Sequence, residues 1–296
     1  MNASFVIMGL PASGKTTFLA ALWHLVEAGE TDCHLVMDGY QGDLNYLTRI
    51  ADAWRAFEPV PRTSQVGDTD VEIHLRNRTT DARGTVLFPD LAGETFDLQV
   101  EERRCRADFF MHVDDEDGIL FFINADVKDD SLTITELNAR LQHGEASLGA
   151  LDFAEQGGSE AEVNLPFLRE WEPKAIPAQV KIVQLLSDLL RPPFAHRCRR
   201  IAILISAWDL ARDQDLTPGE WLANSMPLVH QFLKTNPNSF KSRLYGVSAQ
   251  GVQLKDDAAV NAVANLTPSK RIQIKGPEGE GHDLTGPLVW LMSADE

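Results

Sequence analysis

The stretch "GLPASGKTT", residues 9–17, decides which fold this sequence predicts. It satisfies the pattern G-x-x-x-x-G-K-[ST], whose fixed positions are Gly9, Gly14, Lys15 and Thr16. Glycines allow successive backbone N–H groups to point into one concavity, and a helix that follows adds its positive N-terminal end. In such a loop the lysine reaches the β- and γ-phosphates of a nucleotide, and the next hydroxyl is a ligand for Mg²⁺. The stretch therefore predicts a phosphate-binding loop.

The sequence on both sides of this loop agrees with that prediction. "SFVIMGL", residues 4–10, is typical of a buried strand, and "KTTFLAALWHLVEAG", residues 15–29, has apolar residues at helical spacing and ends at a glycine. Strand, loop and helix in this order are the context in which the motif binds phosphate. The other loop positions that we expect to contact the nucleotide are Pro11, Ala12, Ser13 and Thr17.

Composition and charge exclude several classes of partner. The chain has 296 residues, 44% of them hydrophobic, and we predict one domain over residues 1–296. The formal charge of -17 argues against nucleic acid and anionic membranes, because both require clustered Lys and Arg. The longest apolar runs are too short to span a bilayer, and "MNASF" lacks the features of a signal peptide. We therefore expect a cytoplasmic protein with no nucleic-acid or membrane partner.

Six apolar segments alternate with helical patterns along the chain. They are residues 5–10, 71–75, 85–88, 118–124, 201–206 and 243–247. This alternation predicts an α/β fold with a mostly parallel, six-stranded sheet flanked by helices. Helices are expected over residues 42–57, 177–191, 217–234 and 283–294, the third of them opened by a capping box. Residues 143–178 have no periodicity and are rich in Gly, Glu and Pro, which indicates an insertion or lid before the 201–206 strand.

A second candidate element of a nucleotide site follows the 85–88 segment, in "VLFPDLAGE". The strand would deliver Asp90 to its C-terminal end, where a carboxylate can hold a magnesium-bound water. Gly93, three residues later, can direct its backbone N–H to a γ-phosphate.

Two later strand ends carry the residues expected at a base site. "IAILISAWDL" places Asp209 after one strand, and "RLYGVSAQG" places Ser248 and Ala249 after the next. This order resembles the Ras-like GTPases, in which an N/T-K-x-D motif and then an S-A-K/L motif hold guanine. The resemblance implies that Asp209 binds the base edge and that the Ala249 N–H meets O6. A carboxylate suits guanine, whose N1–H and N2–H are adjacent donors that adenine lacks.

The base motif departs from that family at two positions. Ser206 and Ala207 stand where the family has Asn or Thr and then Lys, so the lysine that normally lies over the base is missing. Trp208 is a candidate to stack on the base instead, and the alternative is a buried anchor beside the strand.

Several phrases together resemble the bacterial double-GTPase families, whose members are encoded beside partner proteins in loci of biological conflict. They are "GLPASGKTTFLAALW", "PRTS", "DLAGETF", "DGILFFINADV", "SAWD", "TPGEWL", "YGVSAQG" and "PLVWLM". The resemblance spans nearly the whole chain. It implies a Ras-like sheet, binding of GTP and GDP with Mg²⁺, and a regulatory role with partner proteins of the same locus, such as a second GTPase or an effector.

Candidate residues for hydrolysis lie in the first switch of that family and after the D-x-x-G motif. Thr63 is expected to sense Mg²⁺ and the γ-phosphate, with Thr69 as the alternative, and Arg62 is a candidate finger supplied in cis. Glu94 stands where the family has a glutamine that orients the attacking water, and its charge lies unfavourably near a γ-phosphate. Pro11 narrows the entry for a partner's arginine. We therefore expect slow intrinsic turnover.

Two other functions remain open at this point. One is a nucleotide-binding interaction module with negligible hydrolysis, which Glu94 and Pro11 favour. The other is a small-molecule or nucleotide kinase that uses ATP and has residues 143–178 as its lid. That segment is poor in cationic residues and has only Arg169 and Lys174, both in its second half. This weakens the kinase hypothesis, because such lids generally need cationic side chains to bind phosphates.

Overall fold

The structure, a computed structural model, describes residues 2–61, 71–88, 93–104, 107, 117–126 and 176–293. Within these ranges nine strands form one sheet, in the order β2-β3-β4-β1-β5-β6-β7-β8-β9. The strands are β1 (Asn2–Gly9), β2 (Leu35–Gln41), β3 (Val71–Asn77), β4 (Arg83–Phe88), β5 (Gly118–Asn124), β6 (Arg199–Ser206), β7 (Phe240–Ser248), β8 (Gln273–Gly276) and β9 (Gly279–Gly281).

The sheet is mixed, and the prediction of six mostly parallel strands is therefore wrong. Parallel pairing joins β4, β1, β5, β6 and β7 in the centre, whereas β2 and β3 on one side and β8 and β9 on the other pair antiparallel. The α/β class itself is correct. The strands that the sequence did not predict are β2, β8 and β9, and the last two have 4 and 3 residues. Such short strands form through backbone pairing with a neighbour, so they carry little apolar periodicity of their own.

The helices in the described residues lie on both faces of the sheet. They are α1 (Lys15–Ala28), α2 (Leu44–Arg55), α3 (Gly93–Glu102), α4 (Ala178–Asp188), α5 (Pro218–Ser225), α6 (Pro227–Thr235), α7 (Asp257–Val263), α8 (Pro268–Arg271), α9 (Gly286–Met292) and a 3₁₀ helix (Trp208–Gln214). None of these described helices combines the length and the apolar character needed to cross a membrane.

Local signals placed several helix boundaries correctly, whereas α3, α7 and α8 were not predicted. Helix α1 ends at Gly29, whose φ of 62° is the left-handed conformation that glycine favours. Thr217 and Glu220 form the predicted capping box at the start of α5. The single helix expected over residues 217–234 is instead α5 and α6, divided at Met226. Pro227 has no backbone N–H to continue the first helix, and it occupies the first turn of the second.

Two hydrophobic clusters among the described residues cover the two faces of the sheet. Phe5 and Ile7 of β1 pack in the cluster with α1, α2 and α9, while Val6 and Met8 pack in the cluster with α3 to α6. Neighbouring residues of a strand point to opposite faces, so β1 is buried on both sides. The phosphate loop therefore begins at the end of a strand that lies inside the sheet and is covered on both faces.

Candidate functional site

The phosphate-loop motif forms a tight turn between β1 and α1. Gly9 has φ 151° and Gly14 has φ 88°, both unfavourable for residues with a Cβ. A Cβ on Gly9 would lie 2.7 Å from the Ser13 Oγ, and one on Gly14 would lie 2.8 Å from the Ser206 Cβ. Conformation and close packing therefore both require glycine at these two positions.

The ammonium group of Lys15 lies against the loop that precedes it. Its Nζ donates to the carbonyl oxygens of Gly9 at 2.7 Å and Leu10 at 2.8 Å, and to the Ser13 Oγ at 3.2 Å. It also lies 5.8 Å from the centre of the Phe96 ring of α3. The cation is thus placed at the mouth of the loop, with an aromatic face from the segment that follows the D-x-x-G motif. Thr16 and Thr17 are half-buried in the first turn of α1.

Asn124, which the sequence analysis did not single out, braces the loop from the end of β5. Its Nδ2 donates to the Ala12 carbonyl at 2.8 Å, and its Oδ1 accepts from the Asp126 N–H at 2.9 Å. Ala12 itself has φ 56°, an uncommon conformation for alanine. The available signal was a polar residue that closes the apolar segment 118–124.

The predicted base residues meet one another at the ends of β6 and β7. The Ser248 hydroxyl donates to the Asp209 Oδ1 at 2.6 Å. Ala207, just before the 3₁₀ helix, is left-handed with φ 52°, and this turn returns the chain so that Asp209 lies beside β7. Ser248 is almost fully buried, and its bond orients one oxygen of the carboxylate.

Trp208 is a buried anchor, so the alternative of a stacking platform is wrong. The side chain is 7% exposed and its ring lies 6.3 Å from that of Trp221. A Cβ on Gly246 would be 2.2 Å from the Trp208 Cδ2, so the indole lies directly on the β7 backbone. The core position explains why an aromatic residue precedes Asp209.

A single cleft of about 980 Å³ joins the phosphate loop to the base residues. Its lining includes Ala12, Gly14 and Thr17 at one end and Asp209, Ser248 and Ala249 at the other. Ligand pockets in proteins are typically about 300–1,000 Å³, so a nucleotide can be accommodated. Other lining residues, absent from the sequence prediction, are Val60, Leu210, Leu254 and Lys255. They come from the loop after α2, the 3₁₀ helix and the loop before α7.

Several predicted catalytic residues lie outside the described ranges. These are Arg62, Thr63, Thr69 and Asp90, together with the predicted insertion as far as residue 175. Gly93 and Glu94 form the first two residues of α3. Within the described part of the chain, no group of three or more His, Cys, Asp or Glu side chains could hold a metal ion. Thr16, the predicted magnesium ligand, lies in the first turn of α1 directly after the loop.

Fold and site together define an α/β protein in which a phosphate-loop motif connects the first strand to the first helix. The chain belongs to the Double-GTPase 1 family, whose model matches residues 6–291. This match confirms the double-GTPase resemblance noted in the sequence. Among curated proteins none matches the chain.

Solved structures show distant likeness. A nucleolar GTP-binding protein 1 of Plasmodium falciparum has 13% identity and a TM-score of 0.37, with 88% of this chain and 91% of that chain covered. The GTP-bound GTPase-like domain of Ski7 from S. cerevisiae has 11% identity and a TM-score of 0.38, with 85% and 43% covered. Roco2 of Methanosarcina barkeri, bound to GDP, has 9% identity and a TM-score of 0.30, with 88% and 47% covered.

Proposed function

We propose that this protein is a GTP-binding switch that hydrolyses GTP slowly with Mg²⁺ and signals to partner proteins. The observation that carries the proposal is the single cleft that has the phosphate loop at one end and the paired Asp209 and Ser248 at the other. Membership of the Double-GTPase 1 family supports the same activity. The proposed switch is one domain over residues 1–296, which is supported by one sheet that includes strands from residue 2 to residue 281.

Guanine is the base that the far end of the cleft suits best. The Ser248 hydroxyl holds the Asp209 carboxylate through Oδ1, and the remaining lone pairs of Oδ1 and Oδ2 can accept N1–H and N2–H as a bidentate pair. The backbone N–H of Ala249 is the proposed donor to O6. Adenine has an acceptor at N1, so it would place a lone pair against the carboxylate. This contrast predicts discrimination against ATP.

The phosphates would occupy the mouth of the loop, where Lys15 now donates to backbone carbonyls. Phosphate oxygens are stronger acceptors for an ammonium group, so the side chain would turn toward them. Thr16 would provide a hydroxyl ligand to Mg²⁺, and Asp90 and Thr63 are the proposed further contacts. Bound Mg²⁺ neutralises charge on the β- and γ-phosphate oxygens. The Gly93 N–H would bind the γ-phosphate and so couple its presence to the start of α3.

Slow hydrolysis follows from the residues near the γ-phosphate. Glu94 replaces a neutral water-orienting side chain with an acid, whose charge opposes that of the phosphate. Arg62, supplied in cis, is the proposed source of compensating charge in the transition state, worth about 10³–10⁵ in rate where such fingers act. Pro11 is exposed on the loop and narrows the approach of an arginine from another protein.

Calorimetric titration with GTP, GDP and ATP in Mg²⁺, combined with single-turnover hydrolysis, tests the proposal. We expect guanine nucleotides to bind more tightly than ATP, with this preference lost in Asp209→Ala and all binding weakened in Lys15→Ala. GDP should accumulate slowly in the unmodified protein and more slowly still in Arg62→Ala. Preference for ATP would contradict the guanine assignment and support a kinase.

The hydrolysis assay distinguishes the proposed switch from the alternative function, a nucleotide-binding interaction module with negligible hydrolysis. Tight GTP binding with no GDP after many hours would assign the protein to that class. The proposed partners are proteins of the same locus, such as a second GTPase or an effector, and the proposed role is in bacterial conflict. Both proposals are tested by measuring partner binding to the protein loaded with GTP or with GDP. A switch requires that a partner bind one loaded form more tightly than the other.

A further inference from the structure

The end of helix α2 is hydrogen-bonded to the loop that carries the base residues. The indole Nε1 of Trp54 donates to the Ala249 carbonyl at 3.0 Å, across 195 positions of sequence. In return, the Gln250 Nε2 donates to the Trp54 carbonyl at 3.1 Å. Two adjacent loop residues are therefore tied to one helical residue, by bonds in opposite directions.

The Trp54 side chain is itself held from both sides. It is 0% exposed, and its ring lies 5.1 Å from the imidazole of His24 in α1, the helix that begins at Lys15. The guanidinium of Arg271 lies 4.8 Å from the same ring and donates to the Arg55 carbonyl at 3.3 Å. An indole enclosed in this way holds a fixed rotamer, so its N–H is a fixed donor for the loop.

The chain beyond Trp54 remains fixed and returns to the cleft. Arg271 also lies 4.1 Å from the Phe57 ring, and the Glu58 N–H donates to the Ala53 carbonyl at 2.9 Å. Two residues further on, Val60 lines the same cleft as Ala249. One helix end thus connects the base loop to the segment that leads into residues 62–70.

We propose that Trp54 is a positioning residue for base recognition, which acts by holding the Ala249 carbonyl so that the Ala249 N–H is directed at O6 of guanine. The inference rests on the proposed GTP-binding function. Carbonyl and N–H flank the same Cα, so fixing the first restricts the orientation of the second. The carboxylate of Asp209 is held independently by Ser248, and it reads a different edge of the base.

The test measures the dissociation constants of three Mg²⁺-nucleotides for Trp54→Phe, which retains an aromatic ring but removes the N–H donor. 6-Thio-GTP has a weaker acceptor at position 6 and keeps both donors for Asp209, whereas ITP keeps O6 and lacks the N2 amino group. We expect about a three- to tenfold loss of GTP affinity, the effect of one hydrogen bond. The preference for GTP over 6-thio-GTP should fall towards one, while the preference for GTP over ITP stays unchanged.

Trp23→Phe is the matched control, because Trp23 is also a buried indole and lies in α1 at the edge of Tyr40. It should leave all three affinities unchanged at a similar loss of stability. If the preference for GTP over 6-thio-GTP is unchanged in Trp54→Phe, Trp54 is only a core residue and the inference is overturned. If Trp54→Phe does not fold, Gln250→Met must lower the same preference, and a failure to do so overturns it equally. A failure of the GTP proposal itself appears earlier, as an unmodified protein without guanine preference.

Discussion

Gly246 is the residue that allows Trp208 to lie on strand β7. The space for a Cβ is already occupied by the indole, at 2.2 Å from Cδ2. Gly246→Ala should therefore push the ring outward, displace the neighbouring Asp209, and lower the free energy of unfolding by about 1–3 kcal/mol. Urea denaturation and GTP titration measure the two effects. Gly281→Ala is the control, since an added Cβ there meets nothing within 4 Å. Equal stability in both variants would contradict this role.

Asn124 is the second residue whose role became visible through its contacts. Asn124→Ala removes the bond to the Ala12 carbonyl and should weaken GTP, GDP and ATP binding alike, by about three- to tenfold, because the phosphate loop loses its brace. Asn236→Ala removes a bond of the same 2.8 Å length, to the Phe232 carbonyl at the end of α6. That control should lose stability without losing nucleotide affinity. A change in base preference with Asn124→Ala would show that its role is not confined to the phosphates.

At the scale of elements, the end of α1 is tied to α8 through Glu30. Its carboxylate accepts from the Ser269 N–H at 3.1 Å, from the Ser269 hydroxyl at 2.9 Å, and lies 3.2 Å from the His24 Nε2. Burial raises the pKa of Glu30, but the hydrogen bonds from Ser269 and His24 outweigh burial and leave the pKa below its usual 4.5. Because the pKa of Glu30 is lower in the folded state than in the unfolded state, its ionised carboxylate stabilises the fold at pH values above the unfolded-state pKa. This stabilisation is lost as the pH falls through the folded-state pKa.

Ser269→Ala should therefore destabilise the protein most at neutral pH, and the difference from the unmodified protein should shrink as Glu30 becomes protonated below pH 4.5. Urea unfolding at a series of pH values measures this. Thr235→Val removes another hydroxyl hydrogen bond, to the Gln231 carbonyl, which has no titrating partner. Its effect on the free energy of unfolding should not depend on pH in this range. A pH-independent effect of Ser269→Ala would exclude Glu30 as the responsible group.

At the scale of the whole molecule, the cleft contacts segments from both halves of the sheet. A nucleotide bound there holds these segments together, and it stabilises the folded state by about 2.7 kcal/mol at a concentration of 100 Kd. We expect Mg²⁺-GTP to raise the melting temperature by several degrees, and Mg²⁺-ATP at the same concentration to raise it less. Lys15→Ala should remove the effect of GTP. Equal shifts with GTP and ATP would be evidence against guanine selectivity.

Prediction from the sequence succeeded where the signal was local. The phosphate loop, the glycine that ends α1 and the capping box of α5 each depend on a few adjacent residues, whose conformational preferences act wherever the chain folds. The short strands β8 and β9 were not predicted, because they acquire their structure by pairing with neighbouring strands. The sequence allowed two environments for Trp208, on the base or in the core. Only the packing of the folded chain places its ring against Gly246.

The sequence by itself determined the α/β class, the position of the phosphate loop and the family, because these depend on motifs with fixed spacing. The tertiary structure decided which strands complete the sheet and which residues support the candidate site. Asn124 reaches Ala12 across 112 positions, and Trp54 reaches Ala249 across 195. No periodicity or motif encodes such pairs. Each hydrogen bond forms only because the folded structure brings together two groups that are far apart in the sequence.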